Sequence, residues 1–153
     1  MQHLYLVRGL PGTGKSTLAS RLANAAIAAD DFFTEDGVYT FDPSKLPEAH
    51  QECQSRCSRG LDAGQDVAVA NTFSQAWELA PYLALAEAAE GEVRVVVLDL
   101  FDAGCTDAEL TARNAHGVPE GGIAAMRGRW EHDWKAGNPL PPWERPRPRR
   151  EES

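Results

Sequence analysis

Residues 9–17, GLPGTGKST, have the types and spacing of a phosphate-binding loop. They fit the pattern G-x-x-x-x-G-K-[ST] at every required position. Glycines let the backbone turn sharply and bring its N–H groups against phosphate oxygens. The positive end of the helix that follows such a loop favours the same anion. The segment therefore predicts a site for the phosphates of a nucleotide.

Each position of this loop has a predicted role. Lys15 is expected to reach the β- and γ-phosphates, and the hydroxyl of Ser16 is a ligand for Mg²⁺. We therefore expect ATP, or another nucleoside triphosphate, and Mg²⁺ as cofactors. The residues predicted to contact the nucleotide are Gly9, Leu10, Pro11, Gly12, Thr13, Gly14, Lys15, Ser16 and Thr17.

Carboxylates that follow two of the predicted strands indicate which reaction the terminal phosphate undergoes. Asp30 and Asp31 follow the second strand, at the edge where open α/β sheets bind ligands. A carboxylate there can take the proton of an acceptor hydroxyl, so Asp30 is the candidate general base and Asp31 a candidate substrate contact. Capping of the next segment is the alternative for both. Asp99 resembles the metal-binding acid of a P-loop motor. Besides Ser16, we therefore consider Asp30 or Asp99 as a second residue that contacts Mg²⁺ through a water molecule.

A basic segment near the end of the chain indicates a mobile lid, at about residues 106–130. Residues 112–130 read as a helix, a glycine break and a second helix that carry Arg113, Arg127 and Arg129. An arginine that closes over a transferring phosphoryl group supplies about 10³–10⁵ in rate. Arg113 is the leading candidate for catalysis and nucleotide binding. For all three arginines the alternative is an ordinary surface position.

Strands that alternate with helices must position these groups. Apolar runs at residues 3–8, 25–30, 66–70 and 93–100 predict strands, and the last run is typical of a strand covered on both faces. Helices are predicted from Lys15 to about Asn24, after Asp42-Pro43-Ser44, from Trp77 to Glu90, from Thr106 and from Pro119. Residues 34–43 read as a loop in which Asp36-Gly37 forms a turn. In the last helix Ile123, Met126, Trp130 and Trp134 are expected to share a face. The pattern predicts an α/β architecture with a parallel sheet of about four strands.

Composition limits the class of protein and of partner. The 153 residues fit one domain, of which we place residues 1–136 in the core and residues 137–153 in a tail rich in proline and arginine. The net charge is −8: residues 1–102 carry 15 acidic against 7 basic side chains, and residues 103–153 carry eight of each. This acidic surface disfavours loose binding to a nucleic-acid backbone. No membrane span or signal peptide is indicated, and three cysteines favour a reducing cytoplasm.

Several weaker patterns have a plain packing alternative. His50, Cys53 and Cys57 have helical spacing, but buried packing is favoured over a metal site. Packing is also favoured over base stacking for Trp130 and Trp134. His116 in the lid is expected either to stack on adenine or to lie exposed in a turn. Residues 145–150, RPRPRR, could touch an anionic partner, although a solvated tail is the better interpretation.

The chain resembles the P-loop kinase domain of the polynucleotide 5′-hydroxyl kinase family, including its small stand-alone ATP-binding relatives. The matching motifs are GLPGTGKST (9–17), ADDFF (29–33), YTFDP (39–43) with AH (49–50), NT (71–72) with AWE (76–78), ARNAHGVP (112–119) and MRGRWEHD (126–133). The resemblance implies a three-layer P-loop NTPase/kinase fold with a mostly parallel sheet of about four or five strands and a helical lid. It implies that Asp30 activates the acceptor hydroxyl, that Arg113 contacts the transferred phosphate, and that Asn71 and Thr72 lie near the acceptor. The chain departs from the family at Ala70, Phe73 and Phe33. Near the position of Phe33 the phage kinase of this family has an arginine that helps to hold a substrate phosphate.

Three functions remain open at this point. The leading hypothesis is an ATP-dependent kinase that acts on a hydroxyl, either a nucleic-acid 5′-end or a nucleotide-like molecule. The second is a kinase for a small metabolite, similar to the zeta-toxin or antibiotic phosphotransferase branches. The third is an ATP-binding interaction module without catalysis.

Overall fold

The computed structural model describes residues 1–146, which form a layered α/β structure. The six strands are β1 (Gln2–Gly9), β2 (Ala25–Ile27), β3 (Thr34–Glu35), β4 (Val38–Tyr39), β5 (Val67–Asn71) and β6 (Val93–Phe101). Strands β3 and β4 pair as an antiparallel hairpin, and the other four form a parallel sheet in the order β2-β5-β1-β6. The α/β prediction and the parallel sheet are confirmed.

Helices cover the two faces of this sheet, and two further helices form the segment predicted to be a lid. They are α1 (Lys15–Leu22), α2 (Leu46–Asp62), α3 (Ala76–Ala88), α4 (Asp107–Arg113) and α5 (Glu120–Gly128). Because side chains alternate along a strand, Leu4 and Leu6 of β1 pack towards α2 and α3, whereas Val7 packs against α1. A third cluster joins Leu10 to the lid. The phosphate loop thus lies where sheet, α1 and lid meet.

Local signals set the ends of several elements. The predicted capping box of α4 is present: Thr106 Oγ1 accepts from the Glu109 amide at 3.2 Å and Glu109 Oε1 accepts from the Thr106 amide at 3.1 Å. Asp42 Oδ1 accepts from the Ser44 amide at 3.0 Å, and a 3₁₀ turn at Pro43–Lys45 leads into α2. The prediction of helix starts from capping residues was therefore sound here.

Three predictions about the elements are wrong. Residues 34–43 contain the β3–β4 hairpin instead of only a loop, although the predicted turn at Asp36 and Gly37 is confirmed, with φ values of 50° and 78°. This pair of positive angles suits the right-handed twist of a hairpin. Strand β6 lies at the edge of the sheet and is mostly half-buried, because a single helix covers the α1 face. Trp130 and Trp134 do not share a helix face with Ile123 and Met126, because α5 ends at Gly128 and Trp134 begins a short 3₁₀ segment.

The start of the predicted tail contacts the domain. Trp143, in the 3₁₀ segment Pro142–Glu144, packs its ring edge-on to Trp77 at a centroid distance of 5.3 Å. Most of the RPRPRR segment, residues 147–150, lies outside the described residues. The division into a domain of residues 1–136 and a tail of residues 137–153 stays a prediction. No helix within residues 1–146 has both the length and the apolar character needed to cross a membrane.

Candidate active site

The phosphate loop connects β1 to α1 in the geometry that an anion requires. Gly12 and Gly14 adopt φ values of 90° and 88°, which other residues rarely adopt. Gly14 occupies the N-cap of α1 and has no side chain to cap the first-turn amides, so these donors are free to bind an anion. The Thr13 hydroxyl donates to the Leu10 carbonyl at 2.8 Å and fixes the loop from within.

The loop is also held by its neighbours. The Gly9 amide donates to the Thr72 carbonyl at 3.3 Å, and the Leu10 amide donates to the Phe101 carbonyl at 2.9 Å. A Cβ atom added at Gly12 would lie 2.8 Å from the Leu110 carbonyl oxygen, because the end of α4 rests directly on the loop. Among the other predicted contacts, Pro11 is buried, whereas Ser16 and Thr17 are exposed. Lid and phosphate loop therefore form one continuous surface.

Lys15 and Asp30 lie within electrostatic reach of each other. Burial lowers the pKa of Lys15, and the negative charge of Asp30 acts in the opposite direction. Asp30 belongs to a 3₁₀ segment, Ala29–Phe33, which directly follows β2 at the carboxyl edge of the sheet. The structure thus brings the candidate base near the lysine of the phosphate loop.

Two side chains from other elements surround the Asp30 carboxylate. The Tyr39 hydroxyl, from β4, donates to Oδ1 at 3.1 Å. Nε2 of His116, from the loop between α4 and α5, lies 3.7 Å from Oδ2. The two rings are themselves 4.2 Å apart between centroids. Burial, and next the charge and hydrogen bond of Asp30, raise the pKa of Tyr39 above its ordinary value. His116 lies in an exposed turn, where it contacts both Asp30 and Tyr39.

The predicted substrate residues have structural contacts. Asp31 Oδ2 accepts from the Ala28 amide at 3.0 Å and from Nη1 of Arg56 at 2.9 Å. Asn71 is buried, and its Oδ1 accepts from the Ala29 amide at 2.8 Å, which fixes the segment that carries Asp30. Thr72 is half-buried beside the phosphate loop. A direct contact of these three residues with an acceptor stays a prediction.

Asp99 is paired with an arginine that the sequence analysis passed over. Its Oδ2 lies 3.3 Å from Nη1 of Arg8, whose side chain is fully buried. The Arg8 guanidinium also donates to the carbonyls of Phe73 and Ser74 and lies 4.2 Å above the Trp130 ring. Since neighbouring Val7 faces α1, Arg8 and Asp99 point to the opposite face of the sheet.

The three lid arginines have different surroundings. Arg113 is exposed, and its Nη1 lies 3.0 Å from Sγ of Cys105. Arg127 donates to Asp102 at 2.7 Å and to Asp107 at 2.8 Å, and these hydrogen bonds raise its pKa. Nε of Arg129 donates to the Ser74 hydroxyl at 3.3 Å. Arg127 thus holds the lid together, and Arg113 has the most freedom to approach a nucleotide.

The weaker sequence patterns also have defined positions. Cys53 and Cys57 are buried in the core while His50 is exposed, so the packing interpretation of the cysteines is confirmed. Trp130 is buried between Arg8 and Phe101, as the packing interpretation predicted, and Trp134 packs partly against the main core.

Two residues of interest, Arg8 and Tyr39, were not predicted. Arg8 carried a signal: it and Asp99 are charged positions within neighbouring apolar runs, and such a coincidence indicates a pair. For Tyr39 the only signal in the sequence was its position in the YTFDP motif (39–43).

A family model and known proteins match this arrangement. The model described as AAA domain matches residues 4–132. The chain belongs to the AAA domain family. Over 129 residues this AAA domain is 36% identical to NEDD4-binding protein 2 from Homo sapiens, a match that covers 80% of the chain and 7% of the human protein. It thus spans a small part of that relative.

Solved structures share the fold of this AAA domain. One is a chain in the Pnkp1/Rnl/Hen1 RNA repair complex, with a TM-score of 0.62 and 18% identity over 84% of this chain and 43% of that one. Another is a sugar kinase from Janibacter sp. HTCC2649, with a TM-score of 0.54 and 19% identity over 86% of this chain and 78% of that one. At these identities the likeness concerns the fold alone, which is that of P-loop kinases, as the resemblance implied.

Proposed function

We propose that this AAA domain is an ATP-dependent phosphotransferase that moves the γ-phosphoryl group to a hydroxyl. The acceptor that we favour is a polynucleotide 5′-end or a nucleotide-like molecule. The main supporting observation is that Asp30 follows β2 and the phosphate loop follows β1, so both lie at the carboxyl edge of the same parallel sheet, where the charge of Asp30 acts on Lys15. A base in that position can meet an acceptor at the terminal phosphate, whereas hydrolysis would need only a positioned water. Motif resemblance and the kinase folds of the neighbours support the same reaction class.

The donor set fits a nucleoside triphosphate with Mg²⁺. The amides of the first turn of α1 are free, and the Ser16 hydroxyl is exposed in that turn. Mg²⁺ prefers oxygen ligands and usually combines one or two protein groups with phosphates and waters. Ser16 would hold it, with Asp30 as the second contact through water, since Asp99 is paired with Arg8. When bound, the ion neutralises charge on the β- and γ-phosphates.

The protein groups divide the remaining work. Lys15 and the loop amides hold the phosphates in line with the acceptor. Asp30 takes the proton of the acceptor hydroxyl as its oxygen attacks phosphorus. Arg113 turns from Cys105 towards the phosphate when the lid is occupied by nucleotide. Positioning and charge stabilisation supply most of the catalysis in reactions of this kind.

A kinase for a small metabolite is the second candidate, and one observation favours it. A cleft of about 530 Å³ adjoins the β3–β4 hairpin, and its charged lining residues are Glu35, Asp36, Asp42 and Lys45. Three carboxylates against one ammonium repel a polyanion. Phe33, which lacks the charge of the phage arginine, lines the same cleft. This surface favours a neutral or amine-bearing alcohol over a phosphorylated substrate.

One labelled-phosphate experiment separates these functions. The protein is incubated with γ-labelled ATP and Mg²⁺, either with 5′-hydroxyl DNA and RNA oligonucleotides or with a pool of hydroxyl-bearing metabolites. Label on the oligonucleotide supports the first candidate, and label on a metabolite alone supports the second. Asp30→Asn should abolish transfer but keep ATP binding, whereas Asp62→Asn, at an exposed carboxylate that ends α2, should keep both. ATP binding with no product in either pool would leave an interaction module.

A further inference from the structure

Asp30 is the meeting point of three elements that are separate in sequence. It comes from the 3₁₀ segment after β2, Tyr39 from the hairpin and His116 from the lid. The Tyr39 hydroxyl donates to Oδ1 at 3.1 Å, and Nε2 of His116 faces Oδ2 at 3.7 Å. Among residues 1–146, Tyr39 provides the hydrogen bond to this carboxylate, so Oδ2 is left for another proton donor.

The lid loop is built to hold His116 in this place. Nδ2 of Asn114 shares its two hydrogens among the carbonyls of Leu110, Thr111 and Val118, which lie 3.0–3.2 Å away. Its Oδ1 accepts from the Val118 amide at 2.8 Å, which closes a loop around His116. The side chains of Asp30 and His116 remain 45% and 36% exposed, so both groups stay accessible to a substrate in this arrangement.

We propose that Tyr39 and His116 are positioning residues for Asp30, so that the lid completes the acceptor side of the site as well as covering the nucleotide. This inference rests on the proposed role of Asp30 as general base. Tyr39 fixes the rotamer of the carboxylate by binding Oδ1, and the rings of Tyr39 and His116 form a wall beside Oδ2. An acceptor enters between this wall and the terminal phosphate.

The transfer step then has a defined course. The acceptor O–H bond breaks and its proton goes to Oδ2 of Asp30, while the acceptor oxygen forms a bond to the γ-phosphorus. The bond between that phosphorus and the bridging oxygen breaks, and ADP leaves with the electron pair. Tyr39 and His116 exchange no proton in this step; they set the direction of Oδ2.

The kinetic test compares matched variants with a 5′-hydroxyl oligonucleotide as acceptor. Tyr39→Phe keeps the ring and loses the hydroxyl, so transfer kcat should fall about ten- to a hundred-fold, the loss expected when a base is misplaced. His116→Ala should lower kcat and raise the KM for the oligonucleotide, and His116→Gln should recover most of both because its amide nitrogen can take the place of Nε2. The KM for ATP should stay within about two-fold in all three variants.

The chain supplies a control with the same composition at the opposite edge of the sheet. His3 stacks on Tyr5 at 5.7 Å between ring centroids, and Nδ1 of His3 lies 3.8 Å from Asp66. Tyr5→Phe and His3→Ala remove the corresponding groups far from the phosphate loop. Both controls should keep the wild-type kinetic constants.

The outcomes separate this inference from the proposed function. If Asp30→Asn is inactive while Tyr39→Phe and His116→Ala match the controls, the positioning role is wrong and the base stands. If Asp30→Asn is active, both are wrong. If the wild-type protein does not label the oligonucleotide, the test is the amide hydrogen exchange rate of residues 114–118. Faster exchange in Asp30→Asn and His116→Ala than in His3→Ala supports the contact, and equal exchange overturns the inference.

Discussion

Arg8 and Asp99 face each other on neighbouring strands and form an ion pair of 3.3 Å across the sheet. The guanidinium is fully buried directly before the phosphate loop, where it also binds two carbonyls and stacks on Trp130 of the lid. Burial lowers the pKa of Arg8, and the charges of Asp99, Glu78 and Glu131 oppose that shift. This pair therefore links the sheet, the loop and the lid.

The role of Asp99 can be separated from metal binding. Asp99→Asn leaves the buried Arg8 guanidinium without its nearest negative charge, so the free energy of unfolding should fall by about 1–2 kcal/mol. This loss is smaller than that for a fully buried ion pair because Asp99 is partly exposed to solvent. Urea denaturation measures this, with Asp62→Asn expected within about 0.5 kcal/mol of wild type. Unchanged stability together with a higher Mg²⁺ requirement for ATP binding would instead make Asp99 a metal residue.

Ser16 and Ser20 offer a matched pair on α1. Both are exposed, but Ser16 is in the first turn and Ser20 donates to the Thr17 carbonyl at 2.8 Å. Ser16→Ala should raise the Mg²⁺ concentration needed for half-maximal ATP binding about ten-fold or more, because a metal-binding oxygen is lost. Ser20→Ala should leave it unchanged. Isothermal titration with ATP at several Mg²⁺ concentrations measures both, and equal effects would contradict the assignment.

Gly12 and Gly14 separate backbone strain from lid contact. Both have φ near 90°, so an alanine at either position costs about 1–2 kcal/mol of strain. At Gly14 a Cβ atom meets open space, whereas at Gly12 it would collide with the Leu110 carbonyl and crowd the Asn114 amide. Gly12→Ala should therefore destabilise the nucleotide-free protein clearly more than Gly14→Ala in thermal or urea unfolding. The reverse order would show that α4 does not rest on the loop.

Cys57 makes stability depend on alkaline pH. Burial, and next the neighbouring Cys53, raise its pKa from 9.0 to about 12 in the folded chain. Below pH 9 the thiol is protonated in both states and its contribution is complete. Between pH 9 and about 12 the unfolded chain loses this proton and the folded chain keeps it, so stability falls by up to about 1.4 kcal/mol per pH unit. Urea unfolding at pH 7.5 and 10.5 should show a smaller drop for Cys57→Ala than for wild type, and an equal drop would contradict this origin.

Local patterns in the sequence were enough for the phosphate loop and most element starts. The loop spans nine consecutive residues, and the box at Thr106 and Glu109 spans four, so every contact that defines them lies within one turn of chain. The parallel α/β sheet also followed from the alternation of apolar runs with helices. The edge position of β6 did not follow, because an unbroken apolar run does not say how many helices cover it.

The arrangement around Asp30 was decided by the tertiary structure. Adjacent residues of a 3₁₀ segment point about 120° apart, so Asp30 meets Tyr39 while Asp31 meets Arg56, and no sequence pattern distinguishes two neighbouring aspartates. His116 approaches Asp30 from the loop that follows α4, and the end of this helix rests on Gly12, so the contact joins residues 86 positions apart in sequence. The sequence by itself thus predicted the phosphate loop, whereas the packing of the 3₁₀ segment between the hairpin and α2 decided which aspartate lies beside Tyr39 and which beside Arg56.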